Sequence, residues 1–314
     1  MSTLLILSYN EASTIQKVIE KYCNNFEYLI VIDDDSKDET KNILNNLDID
    51  VIYHKNSKNL GAGKSFEIGL DIFNNLESSS LVKIDGDDQF DKEDVINISK
   101  IGSSQDFDFI KCDRFWEGGI QGNIPFIRYF GNALASFLVK LATGNWKIND
   151  PLNGLFYISK KVSVNFKLTK LFYRYGYPFF LITHVSNLSK YNSLNIGQYS
   201  NVVTYGNEKS SLKAGRMFFK LIYFTLKSYY SKIKIKMKFS TYQFSALIDI
   251  ISQVFMLFSF YSCYKFVTIR YFSAFGPQGT WFILTVIFLI IFLSLLIVSQ
   301  KLESNTIPNK ITIL

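Results

Sequence analysis

Nineteen consecutive residues, Trp281 to Ser299, carry no charged side chain. As a helix rising about 1.5 Å per residue, the run is roughly 30 Å long, the thickness of a bilayer's hydrocarbon core. A buried soluble helix of that length normally shows a polar face, and this one has none. An earlier run, residues 242–264, is interrupted by Asp249 alone. That carboxylate lies near the start of its helix, where it faces a partner helix or the headgroups. Two membrane helices are therefore expected, with enough chain ahead of them for one sizeable domain.

Charge is distributed to match. The net +7 of the 314 residues is one band: residues 212–238 hold eight Lys/Arg and no acid, and residues 1–211 are net −3. Nucleic acid is one partner for such a band, but it runs straight into the first apolar run, which points to anionic lipid instead. Within it, Lys213, Arg216, Lys220 and Lys227 recur at helical spacing among Met217, Phe218, Leu221, Ile222 and Phe224. A basic amphipathic helix in the headgroup plane is expected. The alternating lysines at 232, 234, 236 and 238 precede the first span, which by the positive-inside rule puts them in the cytoplasm; Lys265 and Arg270 weaken that assignment without reversing it. The amino terminus has no basic n-region, and its apolar run breaks at Asn10-Glu11, so it is a poor signal peptide.

The front of the chain alternates short apolar runs with helical spacing. Strands are expected at 3–7, 28–32, 50–53 and 81–85, and helices at 12–23, 38–47 and 63–73. That order predicts a parallel, doubly wound α/β sheet with ligands at the carboxyl ends of its strands. Three polar clusters fall at those ends: Ser8-Tyr9-Asn10-Glu11, Asp33-Asp34-Asp35-Ser36, and Asp85-Gly86-Asp87-Asp88-Gln89 with Asp91. Carboxylates this crowded repel one another unless a cation sits among them. All-oxygen ligands favour Mg²⁺ or Mn²⁺, and such an ion favours a phosphate-bearing substrate.

Other signals are weaker. Gly61-Ala62-Gly63-Lys64-Ser65 mimics a phosphate loop, but the glycine that motif needs at position 58 is Lys58. A tight strand-to-helix turn is the expected role, with Lys64 near a diphosphate. The cysteines (Cys23, Cys112, Cys263) and the histidines (His54, His184) are isolated, which argues against zinc or a disulfide framework and fits a reducing compartment.

Taken in order, Tyr9-Asn10-Glu11, Asp33-Asp34-x-Ser36-x-Asp38-x-Thr40, Asn59-x-Gly61, Asp85-x-Asp87-x-Gln89, Arg114, Arg128 and Asp150-x-x-Asn153-Gly154 resemble family 2 glycosyltransferases of the GT-A fold. With two carboxy-terminal membrane helices, the resemblance narrows to the polyprenyl-phosphate branch, which includes dolichol-phosphate mannosyltransferases and bactoprenol glucosyltransferases. It implies that Tyr9, Glu11, Asp33 and Asp34 hold the base and ribose of a nucleotide sugar, with Gly61 and Lys64 nearby. Asp85, Asp87 and Gln89 are the implied ligands of a Mg²⁺ or Mn²⁺ that bridges the diphosphate. Arg114 is the implied arginine after the fifth strand, and Arg128 with Asn132 the implied receptor of the lipid phosphate, Asn132 standing in place of a serine. Asp150 is the implied acid of the Asp-x-x-Ser-Gly motif, with Asn153 for its serine, and it either orients a substrate or takes a proton. An expected Arg-x-x-Gly-x-Ser element reads Tyr205-Gly206-Asn207-Glu208-Lys209-Ser210-Ser211, so Lys209 or Arg216 replaces the arginine.

The organisation expected is a catalytic domain at 1–211, a basic juxtamembrane helix at 212–240, a two-helix anchor at 241–301 and a cytoplasmic tail at 302–314. The function implied is metal-dependent, inverting transfer of a hexose from a UDP- or GDP-linked donor to polyprenyl phosphate, on the cytoplasmic face of the membrane and without nucleic acid. A homo-oligomer and a flippase partner stay open. So do two rivals, a different membrane-associated glycan acceptor and an inactive nucleotide-sugar-binding scaffold. Processive synthases of related fold carry Gln-x-x-Arg-Trp, and none of Trp116, Trp146 and Trp281 follows an arginine.

Overall fold

The structure is a computed structural model that describes residues 2–116, 120–121, 126–192, 194–204, 214–238, 240–272, 276–306 and 312–314. The front of the chain alternates as its pattern requires: β1 (Ser2–Ser8), α1 (Ile15–Tyr22), β2 (Tyr28–Asp33), α2 (Thr40–Asn45), β3 (Ile52–Lys55), α3 (Ala62–Asn74) and β4 (Ser80–Asp85). There follow α4 (Lys92–Ser104), β5 (Phe109–Asp113), β6 (Ile120–Gln121), α5 (Phe126–Thr143), β7 (Phe156–Ser159) and α6 (Lys160–Ser163). Then come α7 (Tyr177–Asn192), β8 (Ile196–Ser200) and β9 (Val203–Thr204). The last elements are α8 (Ala214–Lys236), α9 (Ser240–Phe272), α10 (Gln278–Thr306) and β10 (Thr312–Ile313).

Eight strands form one sheet in the order β10-β8-β5-β7-β4-β1-β2-β3. The four expected strands pair in parallel, β1 with β2 and β4 and β2 with β3, whereas β7, which the pattern did not mark, runs antiparallel to both β4 and β5. It starts beside the tip of β4, where Gly154 lies against Asp85, so it can only run back down the sheet. Alternation along β1 splits the core. Leu5 and Leu7 pack on one face with Phe66, Leu70 and Phe73 of α3, and Leu4 and Ile6 on the other with Ile15, Val18 and Ile19 of α1. Each such side chain, fully buried, stabilises the sandwich by about 1.5–3 kcal/mol.

Contacts divide the chain into two units, Met1–Thr225 with Pro308–Leu314, and Leu226–Ile307. In the second, Ser245 bonds Ser299, Ser259 donates to Thr285 O and Phe266 meets Phe282, so α9 and α10 are antiparallel. Residues 242–272 and 278–303 are both long and apolar enough to cross a bilayer, and the second has a mean hydropathy of 3.1 with little of it buried.

The lysine run divides by helical geometry. Lys234 and Lys238 are exposed, whereas Lys232 and Lys236, one turn apart, point inward. The Lys236 ammonium meets Asp249 at 2.6 Å and Glu303 at 3.2 Å, and Lys232 meets Glu303 at 3.1 Å. The Tyr229 hydroxyl donates to the other Asp249 oxygen at 3.0 Å. Of the two places open to Asp249, it takes the one against partner helices. Half of the apparent headgroup-facing charge at 232–238 is therefore internal.

Candidate active site

The loops that leave β1 and β2 are laced together. The Asn10 N–H donates to Ser36 Oγ at 2.9 Å, and the Lys37 N–H donates back to Asn10 Oδ1 at 2.8 Å. The Glu11 N–H donates to Thr40 Oγ1 and the Ala12 N–H to Asp38 Oδ2, each at 3.1 Å. Asn10, Asp35, Asp88 and Asp150 all hold positive φ, between 42° and 66°. Asn and Asp are the residues that best tolerate that region, and such strain gathers at functional loops. Tyr9 is left exposed at the rim and Glu11 half-buried beside Gly86, with its carboxylate accepting from Thr14.

Asp33 and Asp34 turn inward. Asp33 accepts from the Ser36 N–H and the Tyr53 hydroxyl. Burial and that contact together push the Tyr53 phenol well above its ordinary pKa. Asp34 accepts from Asn56 Nδ2 and the N–H groups of Leu60 and Gly61, all within 2.7–2.8 Å. These two carboxylates tie the loop after β2 to β3 and to the start of α3. Gly61 has φ +93°, and a Cβ there would lie 2.6–2.8 Å from Arg174 and the Tyr173 carbonyl. The Gly61–Ser65 segment is thus a strand-to-helix turn with Ala62 opening α3. Lys64 is paired with Glu67 at 2.6 Å.

At the tip of β4 the crowded carboxylates separate by task. Asp88 pairs with Lys17 and Lys21 of α1, which hold it below the usual carboxylate range against the opposing effect of burial. Asp91 caps α4 by accepting from the Glu93 and Asp94 N–H groups. Asp85 rests on the buried Lys83 ammonium at 2.6 Å. Burial disfavours that cation, but Asp85 and the Tyr177 side chain outweigh it and raise the lysine above its usual range. The backbone must pass close at Gly154, where a Cβ would sit 2.5 Å from Asp85 Oδ2. Among the described residues no three ligating carboxylate, thiol or imidazole groups cluster. Two carboxylates and an amide nonetheless fit Mg²⁺ or Mn²⁺, which commonly take one or two protein carboxylates with substrate phosphates completing the shell.

Arg114 and Asp150 form a fork. Arg114 Nε and Nη2 donate to the two Asp150 oxygens at 2.8 Å each, and the Arg114 N–H adds a third bond at 3.0 Å. Burial would raise the Asp150 carboxyl, but Arg114 holds it below the ordinary range. A carboxylate so held orients its surroundings and is a poor proton acceptor. Sequence reasoning missed Lys111, fully buried and donating to the Asn153 carbonyl at 2.7 Å; burial lowers its pKa to about 8. No pattern in the sequence marks a strand lysine as buried.

Beside the fork lies a cavity of about 430 Å³ between the end of β5, α5 and residues 149–150. Asn132, Ser136 and Lys140, spaced by one turn each, line it from α5, with Trp116 and Tyr129 among its aromatic groups. Arg128, one turn before Asn132, is half-buried. Lys209 lies outside the described residues.

The pattern of Glycosyl transferase family 2 matches residues 3–161, a span that holds β1 through β7. The UDP-N-acetylglucosamine–dolichyl-phosphate N-acetylglucosaminyltransferase of Methanococcus voltae is 27% identical over 173 residues, covering 50% of this chain and 68% of that protein. Glucosyl-3-phosphoglycerate synthase from Mycobacterium tuberculosis, crystallised with Mn²⁺, UDP and glucosyl-3-phosphoglycerate, superposes with a TM-score of 0.52 at 16% identity. The superposition covers 73% of this chain and 79% of that one. A likeness that remote shows a shared fold. With the family's pattern running from the first strand to the strand that turns back at Asp85, the chain belongs to glycosyl transferase family 2.

Proposed function

We propose that this transferase moves a hexose from a nucleoside-diphosphate sugar to polyprenyl phosphate, with inversion at the anomeric carbon and with Mg²⁺ or Mn²⁺. The observation that carries the reading is the tip of β4, where the Asp85 carboxylate rests on the buried Lys83 ammonium at 2.6 Å and the chain passes close at Gly154. Tyr9, Glu11 and the loop shaped by Asp33, Asp34 and Gly61 take the nucleoside. Asp85, Asp87 and Gln89 would hold the ion, which when bound neutralises the charge that develops on the leaving diphosphate. A phosphate oxygen of the lipid attacks the anomeric carbon as its bond to the diphosphate breaks. That oxygen is already anionic, so no strong base is needed, in keeping with Asp150 being held ionised by Arg114. Arg128 on α5 suits the incoming phosphate because a guanidinium offers two parallel donors.

The relative from M. voltae is named for a dolichyl-phosphate acceptor, and the two candidate spans supply a bilayer in which such an acceptor resides. Exposed Lys234 and Lys238 favour the cytoplasmic face for the juxtamembrane end of α8. The domain bounds follow: catalytic residues 1–211, a basic helix at 212–240, an anchor at 241–301 and a short tail.

The test incubates membranes holding the full chain with radiolabelled nucleotide sugars and Mn²⁺, and extracts acid-labile lipid-linked sugar. Wild-type protein should form it, and Asp87→Ala should lose at least about 10²-fold in rate, the scale for removing a group that stabilises developing charge. Full turnover by Asp87→Ala would end the proposed role of β4, and sugar transfer to a non-extractable acceptor would support the rival glycan reading.

A further inference from the structure

Lys83 is out of keeping with the packing around it. It stands inside the sheet, level with Leu5 of β1 on one side and Phe156 of β7 on the other, and those neighbours belong to one apolar core with Phe66 and Tyr177. Lys83 itself is 1% exposed. Burying an ammonium there costs desolvation, and a well-packed apolar side chain of similar volume is commonly as stable or more so. The packing of the sheet does not call for that charge.

Nor does the charge join one element to another. The ammonium lies 2.6 Å from Asp85 Oδ1, two residues along the same strand, and 5.5 Å from the centre of the Tyr177 ring. Lys17 and Lys21 differ, since they tie α1 to the loop at Asp88. Asp85 keeps 38% of its side-chain surface exposed, so its carboxylate reaches from the core to the open tip of β4 with the cation on its inner side. A fixed positive charge so placed acts on whatever meets Asp85. It repels a dication and attracts a diphosphate, and solvent weakens both effects without changing either sign.

We infer that Lys83 is a positioning residue that biases the tip of β4 against a bare divalent cation and towards the nucleoside diphosphate, so that the ion enters with the nucleotide. The inference rests on the metal reading of the proposed function. Lys83 and Asp85 together are neutral, so this pair adds little net attraction for a dication until a diphosphate supplies further negative charge. The site is weighted towards the metal–nucleotide complex, and Asp85 is its hinge between core cation and ligand.

The experiment uses the full chain in nanodiscs of phosphatidylcholine, whose headgroups carry no net charge. Mn²⁺ binding without nucleotide is read from the electron paramagnetic resonance signal of the free ion. Binding of UDP or GDP, whichever wild-type protein holds more tightly, is read by calorimetry with and without saturating Mn²⁺. Asp87→Ala, measured alongside, corrects for Mn²⁺ held elsewhere. Lys83→Met should tighten Mn²⁺ binding by about tenfold or more and weaken nucleotide binding several-fold, the scale of a unit charge beside a dication in largely aqueous surroundings. Lys83→Gln keeps a hydrogen-bond donor for Asp85 but loses the charge, and should move both affinities the same way as Lys83→Met. Damage to the fold weakens both ligands, so opposite shifts cannot come from lost structure. Each affinity is a titration midpoint, which a fraction of unfolded protein does not move. Mn²⁺ binding weakened or unchanged in both variants, or wild-type affinities restored by Lys83→Gln, overturns the inference and leaves the metal reading standing. Nucleotide binding by wild-type protein that is the same with and without Mn²⁺ overturns the metal reading and the inference with it.

Discussion

The Arg114–Asp150 fork should be strongly asymmetric when it is broken from its two ends. The Asp150 side chain has no exposed surface, whereas the Arg114 side chain keeps 18% of its own. Arg114→Met strands a carboxylate that cannot reach water, and removing one partner of a buried pair costs about 3–5 kcal/mol. Asp150→Asn removes the buried charge itself and leaves an arginine that can turn toward solvent, so its cost should be nearer ~1–2 kcal/mol, that of lost hydrogen bonds. The double variant leaves no charge stranded and should be less damaging than Arg114→Met alone, a coupling of about 2 kcal/mol. Trp116 and Trp146 report on the unit that holds the fork and Trp281 on the other, so a Trp281→Phe background isolates the relevant melt by fluorescence. For a unit of this size ~1 kcal/mol moves Tm by about 2–4 °C, which gives roughly 10 °C for Arg114→Met and about 5 °C for Asp150→Asn. Acid sensitivity should follow the same logic. Asp150 has its folded pKa depressed below 3.8, so its contribution is complete above that value and disappears as pH falls through the folded pKa. Asp150→Asn should therefore flatten the acid limb of the stability profile. Equal losses from the two single variants, or strict additivity in the double, would refute the reasoning.

Two further outcomes concern stability. Gly61→Ala adds a Cβ within 2.6–2.8 Å of Arg174 and the Tyr173 carbonyl at a φ of +93°; it should cost at least ~1–3 kcal/mol and lower the melting temperature of the catalytic unit. Lys236→Met removes the ammonium that meets both Asp249 and Glu303, neither of which has exposed side-chain surface. It should destabilise the second unit by about 3–5 kcal/mol, read from Trp281 fluorescence, and Lys236→Met/Asp249→Asn should recover part of the loss.

Strand exits were legible because their signal is local: an apolar run stops at Asp33 or Asp85, and the next residues cannot continue a buried strand. Tasks within each exit were not, because they depend on what another element brings. Asp88 reads like any acid of its exit until Lys17 and Lys21 of α1 meet it, and nothing local to Asp34 shows that the Leu60 and Gly61 N–H groups donate to it. The direction of β7 was hidden for a similar reason, since a four-residue strand has no orientation of its own. Lys232 and Lys236 look identical to Lys234 and Lys238 in the sequence, and only helical phase against Asp249 and Glu303 separates them.

One edge of the sheet constrains the two candidate spans. Thr312 and Ile313 lie parallel to β8, paired with Gly197 and Gln198, so the polypeptide that departs at Thr225 rejoins the same sheet at its rim. No lipid leaflet can pass between hydrogen-bonded neighbours in a sheet. The number of times the intervening chain crosses a bilayer must therefore have even parity, which excludes a single-pass or triple-pass arrangement whichever side the enzyme occupies.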